Sequence, residues 1–222
     1  LSGRTKGSIT TVQHFQAFAR QQNLSLKELW VAYRGNQPLA AGLIVPTAGR
    51  TGMAFLSPIT HESQVPHSSR LLTAACQQQD PTTISLIQML LDPDQTLEAQ
   101  ALAAAGFTPL AHLVYMLRAL KTAPTQRPVP LDFQILQWSE SNRETFATAI
   151  LASYEQTRDC PRLLGLRHID DIINGHMAAG IFRPDLWWAI CCEHQPIGVL
   201  LVNLVPKQRA AELVYLGLSP PW

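Results

Sequence analysis

Two stretches of the chain place hydrophobic and polar residues in the same order. Residues 29 to 45 read LWVAYRGNQPLAAGLIV, and residues 186 to 203 read LWWAICCEHQPIGVLLVN. Each is an apolar, β-prone run, a short polar turn through Gln-Pro, and a second apolar run, which is the pattern of a hairpin. A third landmark follows in each copy. Residues 52 to 59 (GMAFLSPI) answer residues 211 to 222 (AELVYLGLSPPW), with Leu-Ser-Pro at corresponding ends once a one-residue slip in the turn is allowed. Three landmarks in one order favour a duplicated unit, each copy a hairpin plus a third strand, over two unrelated hairpins.

The remaining periodicity fills in both halves. Residues 68 to 79 carry Leu71, Leu72, Ala75 and Cys76 at helical spacing. Residues 82 to 92 predict a strand, residues 94 to 110 an Ala/Leu-rich helix stopped at Gly106, and residues 110 to 120 (LAHLVYMLRAL) a final strand. Residues 121 to 130, KTAPTQRPVP, lack periodicity and read as a linker between a domain at 1–120 and one at 131–222. The second half predicts a strand at 131 to 139 and a helix at 141 to 157. That helix is capped by Ser141 or Asn142 and has Phe146, Ile150 and Tyr154 on one stripe. A second helix is expected near 168 to 178. The expected class is α/β, an α+β arrangement of mixed sheets.

Composition narrows the function classes. Charged residues are 15% and the formal net charge is +1, so no global field draws this chain to nucleic acid or an anionic membrane, and the basic residues form no block. No apolar run approaches the length of a membrane span, and the N-terminal LSGRTKGSIT is too polar for a signal peptide. The four cysteines, Cys76, Cys160, Cys191 and Cys192, contain no CxxC pair. They point to a reducing, cytoplasmic setting, with no metal expected. The seven histidines are dispersed; His168 and His176 stand two helical turns apart with no third ligand nearby. In Trp187-Trp188 and Cys191-Cys192, strand alternation sends one side chain of each pair to either face. The chain begins with Leu rather than Met, and a piece of a longer protein is expected.

The order strand, two helices, hairpin, long fourth strand resembles the front half of the GNAT acyltransferase fold. EHQPIGVLLVN is similar to that superfamily's second-to-third-strand hairpin, AELVYLGLSPPW to its fourth strand, and AAAGFTPL to the end of its fourth helix. The segment 154 to 176 (YEQTRDCPRLLGLRHIDDIINGH) resembles one found in predicted acetyltransferases with two such units in tandem. The resemblance implies two GNAT-like units, the second cut after its fourth strand, and acetyl transfer from acetyl-CoA to an amine on a small molecule or protein.

It also implies roles for residues. Backbone groups of Leu216, Gly217 and Leu218 would hydrogen-bond the pantetheine arm, as an exposed strand edge pairs with an extended partner. The glycine-rich pyrophosphate loop that follows in the family falls beyond Trp222. Residues 60 to 72 after the first copy's third strand contain no glycine, so that copy reads as a scaffold. Glu212 is the candidate general base, against a plain solvent-facing carboxylate. Tyr154, Asp159 and Arg167 lie between the helices that cover the acceptor site and are candidate substrate contacts. Packing for Tyr154 and turn-capping for Asp159 are the competing roles. Cys160, with no activating context, reads as a packing residue. A non-catalytic scaffold and a paired-GNAT aminoacyl transferase are the alternatives, the latter disfavoured by the missing basic surface. An uncovered fourth strand predicts a homodimer.

Overall fold

The computed structural model describes residues 29–120 and 132–222; the expected linker lies outside the described residues. The chain divides into two compact units, one ending at Pro109 and the other running from Leu110 to Trp222. Each contains a four-stranded sheet, and four α-helices are described, so the class is α+β.

In the first unit, β1 (Leu29–Arg34), β2 (Gln37–Thr47) and β3 (Thr51–Leu56) form an antiparallel meander. Helix α1 (Val65–Gln77) then leads to β4 (Leu86–Gln88), which lies parallel to β3, and α2 (Thr96–Ala104) follows. The stripe expected on α1 is what the sheet covers: Leu71, Leu72 and Ala75 are buried, with Ile44, Ala54 and Ile84 in the same core. Glu98 at the start of α2 is also buried, and its Oε1 accepts the Ile59 N–H at 2.9 Å, tying that helix to the connection after β3. The strand expected over 82 to 92 is only three residues long. Residues 110–120 form no strand, contrary to expectation, and have no described neighbour in a ladder. Their β-propensity alone does not make a strand, because a strand needs a paired edge.

The second unit orders its strands β5 (Phe133–Gln137), β6 (Trp187–Cys192), β7 (Gln195–Val205), β8 (Ala210–Leu218), all antiparallel. Helices α3 (Arg143–Ser153) and α4 (Ile169–Ala178) come between β5 and β6. The core is aromatic. Trp138, Phe146 and Trp187 meet edge to face at centroid distances of 4.9 and 5.3 Å around Trp138, with Ile150, Ile173, Val199 and Leu201 beside them. Trp187 is buried and Trp188 only partly, as alternation requires, and Cys191 and Cys192 divide likewise.

The start of α3 differs from expectation. Asn142 stands at the N-cap, but its Oδ1 accepts from the Ser139 N–H at 2.8 Å and its Nδ2 donates to the Gln137 carbonyl at 2.6 Å. The amide therefore fastens the β5-to-α3 turn rather than capping the helix itself. Arg143 then bridges to Asp170 at 2.6 Å, joining the first turns of α3 and α4.

The two hairpins have the same dimensions. In each, a six-residue strand pairs with an eleven-residue one through a two-residue turn, and the register slips at corresponding points, Ala32/Tyr33 and Ile190/Cys191. Pro38 and Pro196 occupy the same place beside that slip, where a residue without an N–H is tolerated.

Candidate functional site

The site is built by β8 and the end of α3. The Ser219 N–H donates to the Ile197 carbonyl at 2.8 Å, which makes this opposed pair a hydrogen-bonded one. Alternation along an antiparallel ladder then makes Leu218 opposite Gly198, and Leu216 opposite Leu200, non-bonded pairs. The backbone N–H and C=O of Leu216 and Leu218 therefore point to the outer edge of β8, which has no strand beside it among the described residues. Gly217 is different. Its backbone is turned to Val199 in β7, and its Cα faces the end of α3.

That facing is tight. A Cβ added at Gly217 would come within 2.5 Å of Ser153 Oγ and 2.7 Å of the Tyr215 hydroxyl. Ser153 donates to the Ile150 carbonyl at 2.7 Å, so the 2.8 Å contact between its oxygen and Tyr215 is a bond donated by the phenol. Beyond this pair, the chain leaving α3 and the end of β8 enclose a pocket of about 360 Å³. Ser153, Glu155, Thr157 and Asp159 form one wall, and Tyr215 to Ser219 another.

A β-bulge sets which side chains of β8 face the helices. Leu201 opposes Tyr215 but Val202 opposes Leu213, leaving Val214 as the extra residue. Asn203, fully buried against α4, opposes Glu212. Opposed residues share a face, so Glu212 and Tyr215 both lie on the helix-covered face although they are three residues apart. Glu212 is exposed and makes no hydrogen bond or ion pair with described residues.

The loop after α3 carries the other candidates. Tyr154 packs on the core, with its ring edge-on to Tyr215 at 5.7 Å. Burial, and then the neighbouring Tyr215 hydroxyl, push its phenol up to about 12, while nearby Arg167 pulls the other way. It therefore stays neutral. Asp159 lines the pocket, and its N–H is held by Thr157 Oγ1 at 3.1 Å. Arg167 is partly buried away from the pocket lining and donates from Nη2 to the Asp171 carbonyl at 2.9 Å. Burial lowers its pKa, opposed by Tyr154 and Asp171. Cys160 has its thiol raised by burial and by Asp159, which makes it a poor nucleophile. Among the described residues there is no cluster of His, Cys, Asp and Glu able to hold a metal, and no helix long and apolar enough to cross a membrane.

Four participants were not legible in the sequence. His176 stacks on Tyr215 at 5.4 Å, and burial, then Arg167, lower its pKa to about 4. Its carbonyl and that of Ala179 accept from Asn203 Nδ2 at 2.7 and 2.6 Å, while Asn203 Oδ1 takes the Trp187 indole N–H at 2.9 Å. Asn203 thus locks the end of α4 to the core behind Tyr215. Ser153 and Tyr215 complete the four. The one local signal was a buried-strand position occupied by Asn; the rest depends on cross-strand register.

No protein-family profile matches this chain, and no curated protein matches it as a relative.

Proposed function

We propose that the second unit is an acetyltransferase site of the GNAT type, moving an acetyl group from acetyl-CoA to an amine. The observation that carries this reading is the open edge of β8. Leu216 and Leu218 offer outward backbone donors and acceptors beside a pocket, the arrangement that pairs with an extended amide-bearing arm such as pantetheine. The arm lies along that edge with its thioester toward the pocket, and the amine enters from the side of Asp159 and Thr157.

Transfer requires the amine to lose a proton before it attacks the thioester carbonyl. Glu212 is the base in this reading, re-aimed onto the reacting face by the bulge at Val214, and it takes the proton directly or through one water. The amine nitrogen bonds to the carbonyl carbon, the carbon–sulfur bond breaks, and the nitrogen's second proton passes through solvent to the departing thiolate, so that amide and free CoA thiol are released. An outward N–H of Leu216 or Leu218 is placed to polarise the carbonyl. Tyr215 holds the wall of the pocket through Ser153, and the neutral Tyr154 and His176 rings support it.

The first unit serves as a scaffold copy. Its β3 has the same edge geometry, but β4 already lies beside Thr51–Met53, and the connection that follows, residues 57 to 64, has no glycine to let backbone wrap a pyrophosphate. Release of free CoA thiol from acetyl-CoA, followed across a panel of primary amines, tests the reading. Amine-dependent release that falls in Glu212→Gln supports it; release with no amine dependence contradicts it.

A further inference from the structure

Residues 110–120 and β8 are two halves of an interaction. The segment Leu-Ala-His-Leu-Val-Tyr-Met-Leu-Arg-Ala-Leu makes no hydrogen bond with described residues. Leu113, Val114, Tyr115, Met116, Leu117 and Leu120 are 55 to 93% exposed. Six large apolar side chains in one short stretch, with no backbone bond to the described residues, is the composition of a strand lacking its sheet. Across from it in kind, β8 has an open outer edge and exposes Leu213, Leu216 and Leu218.

Length selects β8 over the other sheet edges. The edge strands β1, β4 and β5 span six, three and five residues, whereas β8 spans nine. Charge selects the direction. Arg118 is the segment's one permanent cation and Glu212 the one charge on β8. An antiparallel alignment with Arg118 across from Glu212 sets residues 112–118 against 212–218, so the whole overlap falls within both elements. Among the described residues of one copy the two elements do not pair, and their matching length and opposite charges suit them to each other in a second copy.

We propose that two copies of this chain associate by strand addition, residues 112–118 of each pairing antiparallel with the outer edge of β8 in the other. The interface is reciprocal, as a two-fold dimer requires. It occupies the backbone edge of Leu216 and Leu218 and covers Glu212, so the dimer is a closed state of the site. The pairing stands independently of the acyltransfer reading; its antagonism with acetyl-CoA rests on that reading.

The test uses the 222-residue chain. Sedimentation over a concentration series should show a monomer–dimer equilibrium, and Arg118→Glu with Met116→Lys, both at exposed positions, should weaken it by at least about tenfold. A photo-crosslinker in place of Tyr115, in a mixture of isotopically light and heavy copies, should label residues 212–218 of the other copy. A monomer at all concentrations, a dimer indifferent to the double variant, or labelling within the same copy or at another surface overturns the proposal. Added acetyl-CoA should shift the equilibrium to monomer. If the dimer and its crosslink appear but acetyl-CoA leaves them unchanged, the strand pairing stands and the mutual exclusion, with the cofactor role of this edge, is overturned.

Discussion

The Tyr215 hydroxyl donates to Ser153 Oγ at 2.8 Å, and the absent side chain of Gly217 is what leaves room for it. This contact joins the end of α3 to β8 and shapes the near wall of the pocket.

Gly217→Ala places a methyl where Ser153 Oγ and the Tyr215 hydroxyl now sit. Either the bond breaks or α3 moves, at a cost of about 1–3 kcal/mol. Urea unfolding measures this, and a neutral result would mean that the strand and helix are not in contact. Ser153→Ala, which removes the hydroxyl without crowding, should cost less, about 1 kcal/mol.

Asn203→Leu leaves the Trp187 indole N–H and the Ala179 carbonyl without their partner in the core, and takes one of two donors from the His176 carbonyl, which keeps the Ala179 N–H. Unsatisfied buried groups cost about 1–3 kcal/mol each, with some relief by relaxation, so a loss of roughly 3 kcal/mol is expected. The same variant should loosen α4, seen as faster amide exchange at its C-terminal turn. Unchanged exchange there would contradict the latch.

The stability of the second unit should fall as acid is added through the histidine range. The pKa of His176 is lowered in the fold from 6.5 to about 4 by burial and by Arg167. Between these values the unfolded chain binds a proton that the folded chain refuses, so stability is complete above pH 6.5 and declines as pH falls toward 4. The loss approaches roughly 3 kcal/mol, taking 1.36 kcal/mol per pKa unit. Carboxylates titrate in part of this window, so the difference between wild type and His176→Gln isolates the term: the variant's curve should be flatter from pH 6.5 to 4. Parallel curves would contradict a buried, neutral His176.

Glu212→Gln should leave stability within about 0.5 kcal/mol, since the side chain is exposed and unbonded. Turnover with an amine should drop about 10²- to 10⁴-fold. A variant with wild-type turnover would remove Glu212 from the chemistry.

Hairpins, helices and the repeat between halves were legible because they rest on local periodicity and turn chemistry. Leu71, Leu72 and Ala75 on α1, and Phe146 and Ile150 on α3, lie where their spacing puts them. What the sequence did not disclose is non-local. Residues 110–120 have strand composition and no ladder partner among the described residues, which no window of residues reveals. The bulge at Val214 decides that Glu212 and Tyr215 share a face, and simple alternation would have separated them. The tie between Ser153 and Tyr215 spans 62 residues.

Calorimetric titration of acetyl-CoA into the chain tests the central claim most directly, with Leu216→Pro as the control that deletes one outward N–H from β8. Saturable binding to the wild type that weakens at least tenfold in the variant, with the fold retained by circular dichroism, is the expected result. Absence of binding, or equal binding by both chains, would contradict the assignment of the β8 edge as the cofactor site.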